Sequence, residues 1–366
     1  MRLTNYWLQL IWLFVGGFLC SYFPKRQERL CGDTVRRWNL LPALILVVPY
    51  IIWAGFRPNG FGDTGVYRQG FLESGASLGD AVRILLSDQK DPGFYALRVL
   101  IKMVIGNQDV LFFLLLAAFQ MLCLMFVYRR YSDDYWLCIF LFVASTDYMS
   151  WVFNGVRQFI AATMIFAGMG LLLKKRYFPL ILLILAASTM HGSALLMLPV
   201  VFIVQGKAWN SKTLLTLAAT AVVIVFVDQF TPILNDLLQD TQYDDMITNE
   251  IWTNDDGTNM IRVLVYSVPA LLSLFGLRYV READNPVINI CVNCSIVTMA
   301  LYLVAAASSG IYIGRLPIYT SLHSYIALPW LIDHIFDRRS AQLVRLLTVL
   351  LFCVFFYIQM FITWNL

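Results

Sequence analysis

Three basic side chains stand where apolar helices are expected, and their types suit proton transfer and phosphate binding. His191 interrupts "AASTMHGSALLML", Arg157 opens "VRQFIAATMIFAG" and Arg315 lies in "GRLPIYT". An imidazole titrates near neutral pH and can take a proton from a hydroxyl. Guanidinium groups match phosphate oxygens with paired hydrogen bonds, so two of them facing one cavity suit an anionic lipid headgroup. A charge inside a membrane helix costs several kcal/mol unless it meets a partner or a wet cavity, which makes each such residue a functional candidate. The plainer readings stay open: both arginines lie within snorkelling reach of the outer surface, and His191 can be a turn residue bonded to backbone. No D-x-D occurs in the chain, and "NDDGTN" fails as a calcium loop because Trp252 stands where the first acidic ligand belongs. The expectation is chemistry with no metal and no cofactor.

The elements that position these residues follow from composition. The 366 residues are 59% hydrophobic and 14% charged, with a mean hydropathy of +0.68, outside the soluble globular range. The apolar runs are continuous and not alternating, which excludes transmembrane strands. Spans of α-helix are predicted at about 3–23, 40–56, 108–128, 135–153, 154–173, 211–230, 260–280, 286–308, 311–336 and 341–363. The fold class is therefore an all-α, polytopic transmembrane bundle of about ten spans, read as a single integral membrane domain over 1–366. The first apolar segment, ending "GGFLCSYF", has no small-residue cleavage pattern and reads as an uncleaved anchor. Seven cysteines, most inside predicted helices, do not suggest a disulfide framework, and Cys291 with Cys294 reads as helix packing. The net charge of +4 comes from basic loops that set topology and gives no argument for nucleic acid.

Those loops orient the chain. "PKRQERLCGDTVRRW", "YRRYSDD", "KKRY", "LRYVREAD" and "DHIFDRRSAQ" are expected on the cytoplasmic side. The lysine- and arginine-free stretch Thr213–Ile261 holds an acidic loop, 231–259, expected outside. Tyr177–Gln205 must then start and end inside. Its 29 residues give roughly 44 Å of helix, too long for one upright crossing and too short for two. A re-entrant helical hairpin turning at His191 solves this, and such a turn is tolerated only when buried in protein or lining a wet cavity.

The largest polar block on the outer side is 57–107. Its "GFGDTG" matches G-x-G-x-x-G literally, but no strand precedes it and no βαβ unit surrounds it, so the glycines serve the turn. Phe94–Ile105 is a short apolar helix, with Arg98 and Lys102 on one side, expected to be interfacial or re-entrant.

Several strings resemble one family. "FRPNGFGDTGVYRQGF" looks like the Arg…Asp…Tyr signature of the EpsG-like, Wzy-type bacterial polysaccharide polymerases. The N-x-x-R-Q-x-x-A helix starting at Asn154, the H-x-S-A-L segment at His191 and the late arginine of "GRLPIYT" are similar to that family's motifs in the same order. The resemblance implies a GT-C-like glycosyltransferase architecture in the bacterial inner membrane, with its active site facing the periplasm. It implies joining of repeat units carried on undecaprenyl diphosphate, beside a flippase and a chain-length regulator of the same pathway. Carried onto this sequence, it gives Arg157 and Arg315 the diphosphate, and His191 or Asp63 the attacking hydroxyl. Arg57, Tyr67, Asn154, Gln158 and Tyr319 are left to bind substrate. An O-antigen ligase needs the same arginines, and a lipid-linked oligosaccharide transporter is the rival from another class. Transport is disfavoured by a single broken helix without a counterpart.

Overall fold

A computed structural model describes residues 6–30, 33–226, 258–308 and 313–362. The acidic loop at 231–259 therefore lies almost wholly outside the described residues. Among the described residues the chain is helical apart from one two-stranded ribbon, and it falls into two compact units, Met1–Leu195 with Phe336–Leu366, and Leu196–Ile335.

The first unit opens with α1 (Trp7–Ser21), the ribbon β1 (Lys25–Leu30) and β2 (Asp33–Trp38), and α2 (Leu40–Gly55). The strands pair antiparallel with Lys25 opposite Trp38. Nothing in the apolar periodicity announces this ribbon, because it is a polar connection whose order comes from pairing. Asn39 anchors its base to the Pro24 carbonyl at 2.8 Å. Short helices α3 (Thr64–Glu73), α4 (Leu78–Leu85) and α5 (Pro92–Ile105) follow, then α6 (Asp109–Tyr131) and α7 (Tyr135–Ala144). The span expected at 135–153 is not continuous. After α7 the chain bends by 71° into a π-helical turn, Tyr148–Asn154. The break is built by Thr146, held at φ 67°, and by Ser145, whose hydroxyl bonds back to the Phe142 carbonyl at 3.1 Å. α8 (Val156–Ala167), α9 (Met169–Leu173) and α10 (Tyr177–Met190) complete the stretch, and α17 (Arg338–Ile362) returns to this unit at the chain's far end.

α5 is amphipathic as expected, yet it packs on α4, α10, α6 and α3. Its Lys102 is buried and donates to the Leu72 and Ser74 carbonyls at 2.5 and 2.7 Å. It thereby satisfies the open C-terminal end of α3. The outward apolar face belongs instead to α4, where Leu78, Val82, Leu85 and Leu86 are exposed.

The second unit contains α11 (Met197–Ile203), α12 (Ser211–Val225), α13 (Met260–Phe275), α14 (Leu277–Ala283), α15 (Pro286–Ala307) and α16 (Ile318–Ile335). α15 and α16 meet along a hydroxyl seam, Ser295 to Ser324 at 2.9 Å and Thr298 to Thr320 at 2.7 Å. Asn289 and Asn293 accept the N–H groups of Ala208 and Trp209 at 3.0 and 3.1 Å, fixing the turn before α12. Cys291 and Cys294 are buried one turn apart on α15. α13 and α14 bend by 71° at Gly276, where a Cβ would overlap Ile335.

Among the described residues four helices are long and apolar enough to cross a membrane, or up to six if each bent pair is one span. The other predicted spans correspond to helices that fall short of this length or hydropathy, so the count of about ten spans is not shown. α1 and α2, at 15 and 16 residues, reach only about 24 Å against a hydrocarbon core of about 30 Å. α16 has 18 residues, but Ser321, His323 and Ser324 lower its apolar character. The chain is an all-α membrane protein.

Candidate functional site

The polar site of the first unit is organised around the π-helical turn and the helix start that follows it. Arg57 leaves α2 and enters the fold: its Nη1 donates to the carbonyls of Val152 and Phe153 at 2.8 and 3.3 Å, and its Nε to Ala54 at 2.5 Å. The rings of Phe113 and Phe153 cover the guanidinium at 4.5 and 4.6 Å, and the residue is 3% exposed. Burial pulls its proton affinity down to about 9, with Tyr148 and Tyr67 opposing, so it is still cationic at neutral pH. These donors satisfy the end of the π-helical turn. Arg57 was expected to bind substrate; its guanidinium lies inside the fold, turned to backbone carbonyls.

The loop carrying Asp63 is pinned to the same turn. Phe61 packs edge-on against Phe153 at 5.3 Å, and the Asp63 N–H donates to Asn154 Oδ1 at 3.0 Å. Gly62 permits this approach: its φ is +50°, and a Cβ there would stand 2.6 Å from Asn154 Oδ1. Asp63 is exposed at the start of α3. One turn on, Tyr67 shares a side-chain hydrogen bond with Arg157. Burial raises the Tyr67 hydroxyl, against the Arg157 cation that lowers it, and the nearby Asp63 carboxylate raises it further.

Arg157 stands in the first turn of α8 with its side chain 22% exposed. Its Nη1 donates to Asp91 Oδ2 at 2.7 Å and to the Tyr95 hydroxyl at 3.3 Å. Gln158, the next residue, is buried, as the roughly 100° step round a helix implies. The second oxygen of Asp91 accepts the Gly192 N–H at 3.0 Å. A single carboxylate thus joins the arginine to the histidine turn. Burial raises the Asp91 carboxyl above its ordinary 3.8, opposed by Arg157, the Gly192 N–H and Lys90.

His191 ends α10 in an extended conformation and is followed by a 3-10 turn, Gly192–Leu196. The helix is broken at this residue, but the expected re-entrant hairpin is not shown: among the described residues the sharply bent helix pairs lie at 135–154 and 260–283. His191 is 6% exposed, and its Nδ1 lies 2.7 Å from Ser193 Oγ and 3.4 Å from the Ser193 backbone nitrogen. A backbone N–H can only donate, so this geometry favours a neutral ring with Nδ1 accepting and the proton on Nε2. Asp147 is buried and accepts from Trp151 Nε1 at 3.3 Å.

The structure brings together Arg157, Tyr67, Asp63, Asn154 and the His191 turn. Arg315 and Tyr319 belong to the second unit, where Arg315 is half-buried and Tyr319 is buried in the first turns of α16. Sequence reasoning missed Asp91 and Tyr95. The available signal was "DPGFY", an aspartate before Pro92 at the first position of a helix, which marks a helix start. Among the described residues no three His, Cys, Asp or Glu side chains group closely enough to hold a metal ion.

Fold and site together define an all-α integral membrane protein with a carboxylate-held arginine beside a histidine turn. Residues 40–365 match the family model described as EpsG family, and the chain belongs to that family, a Wzy-like polymerase family. No curated protein and no solved structure matches the chain.

Proposed function

We propose that this protein joins oligosaccharide repeat units carried on undecaprenyl diphosphate into a polysaccharide at the periplasmic face of the bacterial inner membrane. A sugar hydroxyl of one unit attacks the anomeric carbon of another chain. The bond from that carbon to the diphosphate breaks, and undecaprenyl diphosphate leaves with the bonding pair. Arg157 stabilises the charge that develops on the leaving diphosphate, the interaction that counts most because it strengthens in the transition state; Arg315, in the second unit, is the other cationic candidate. His191 or Asp63 receives or orients the hydroxyl proton, an effect of roughly 10² to 10⁴ in rate.

The observation that carries this reading is Arg157: a part-exposed guanidinium held by Asp91 at 2.7 Å beside the His191 turn, in a member of the EpsG family. The test is single alanine replacement of Arg157, Arg315 and His191 in a strain lacking the native gene. Loss of long chains with single-unit glycan retained supports polymerisation. Complete loss of surface glycan overturns it in favour of export or ligation. Labelling of Gly60→Cys, where a side chain meets open space, by a membrane-impermeant maleimide from outside tests the orientation.

One observation favours a second reading. Each unit contains a helix bent by 71°, and paired broken helices in two halves are a feature of transporters. Uptake of a lipid-linked glycan into liposomes by the purified protein, with no chain growth, decides for transport.

A further inference from the structure

Asp91 lies outside every motif that marks this chain's chemistry, yet it is bonded to both parts of the candidate site. Its Oδ2 accepts from Arg157 Nη1 at 2.7 Å and its Oδ1 from the Gly192 N–H at 3.0 Å. The backbone beneath it is fixed. Asp91 itself has φ 54° and ψ 46°, a left-handed conformation that a residue with a Cβ keeps only where its surroundings impose it, and such strain gathers at functional sites. Pro92 locks the next φ. Gly93 then packs so closely on α10 that a Cβ there would lie 2.8 Å from Thr189 Cβ and 3.0 Å from the Thr189 carbonyl oxygen. A carboxylate on so constrained a turn cannot follow a moving partner; it makes its partners conform to it.

We propose that Asp91 is a positioning residue which holds the Arg157 guanidinium and the His191 turn in one fixed relation, so that the diphosphate-binding cation and the imidazole act on the same substrate. The use of that relation rests on the polymerase reading; the relation itself does not. Its two hydrogen bonds divide the work. The bond to Arg157 sets where the leaving diphosphate meets positive charge. The bond to Gly192 N–H fixes the turn that orients the ring of His191.

The experiment uses the full chain in lipid nanodiscs with its histidine rings labelled by ¹⁵N. The chain has three histidines, and His191→Gln assigns the signal of interest. In Asp91→Ala the His191 ring signals move while those of His323 and His334 stay in place; a merely structural defect moves all three. Turnover is followed on lipid-linked repeat units extracted from a strain lacking the gene. Asp91→Asn lowers kcat at least tenfold with KM changed less than about threefold, and in Arg157→Gln it adds no further loss. Unmoved His191 signals in Asp91→Ala, or losses in Asp91→Asn and Arg157→Gln that multiply, overturn the proposal. Gly192→Pro is the second variant if Asp91→Ala does not fold. It removes the same bond from the other side, His191 already has the extended backbone required before proline (φ −159°, ψ 121°), and Gly192 faces open space. Unchanged His191 signals there overturn the proposal equally. If the wild-type protein fails to elongate the lipid-linked units, the polymerase reading falls, and the histidine signals alone judge Asp91.

Discussion

Gly93 packs closely against Thr189 at the candidate site, and adding one methyl group there tests how tightly the site is assembled. In Gly93→Ala the new Cβ would overlap Thr189 Oγ1 and stand 2.8 Å from Thr189 Cβ and 3.0 Å from the Thr189 carbonyl oxygen. Ordinary carbon contacts lie near 3.5–4.0 Å, so α5 and α10 must separate by about 1 Å. Overpacking of this size costs about 1–3 kcal/mol of stability. The larger effect is on function. Asp91 is two residues away and takes the Gly192 N–H at 3.0 Å, so the same displacement breaks the link between Arg157 and the His191 turn. A 1 Å misplacement costs on the order of 10²-fold in rate. The assay is glycan chain length in a complemented deletion strain, with thermal unfolding of the purified protein alongside. Gly93→Ala should give short chains at a modestly lowered unfolding temperature. Thr189→Gly should recover much of the loss, because only the carbonyl contact then remains. Wild-type chain length in Gly93→Ala, or no recovery in the double variant, refutes the reasoning that the two helices position the site by contact.

Three further outcomes follow from neighbouring geometry. Arg57→Lys should lose roughly 2–3 kcal/mol, since an ammonium cannot reproduce the fork that serves three carbonyls or stack between two rings; an unfolding temperature equal to wild type would count against the clamp. Gly62→Ala should destabilise by about 1–2 kcal/mol, and Asn154→Ala should relieve part of it, because the amide at 2.6 Å is one obstacle and the left-handed φ the other; strictly additive losses would be wrong for this contact. Acid should switch off activity in a window above pH 3.8, as the buried Asp91 carboxyl takes up its proton early and releases Arg157. The sign for stability is opposite. A native pKa above the unfolded one contributes stability below the unfolded value and loses it as pH rises through the native value. Activity should therefore fall on the acid side without unfolding through this group, and Asp91→Asn should lack that limb of the profile.

Much of the helical order was legible, because continuous apolar runs have few alternatives. Asp109–Tyr131, Pro286–Ala307 and Arg338–Ile362 lie within a few residues of the predicted spans, and the break at His191 falls where the polar residue interrupts the run. The break after α7 was not legible. Its cause is the left-handed Thr146 with the Ser145 hydroxyl bonded back to the Phe142 carbonyl, a backbone arrangement that the hydropathy marking 135–153 as one span does not reveal. The ribbon at Lys25–Trp38 escaped because its residues are polar and its order comes from cross-strand pairing. At the site, motif residues were found individually while the group joining them was not. Asp91 is distant in sequence from both partners, 66 residues from Arg157 and 101 from Gly192, and no local period encodes such a contact.

Arg57 and Arg157, the two candidate arginines of the first unit, show why residue type alone does not assign a ligand contact. Both stand near the ends of apolar helices and both were candidates for an anionic substrate. Arg57 directs its donors to the Ala54, Val152 and Phe153 carbonyls and has an aromatic ring on each face. A diphosphate could reach it only by unmaking the turn it holds. Arg157 is part-exposed, and its partners are a carboxylate and hydroxyls of side chains. Those contacts leave its cation at the edge of the fold, where an anion approaching from water gains from it without breaking backbone structure. Burial and partner chemistry, and not the presence of the guanidinium, separate the arginine that builds the fold from the one the proposed reaction would use.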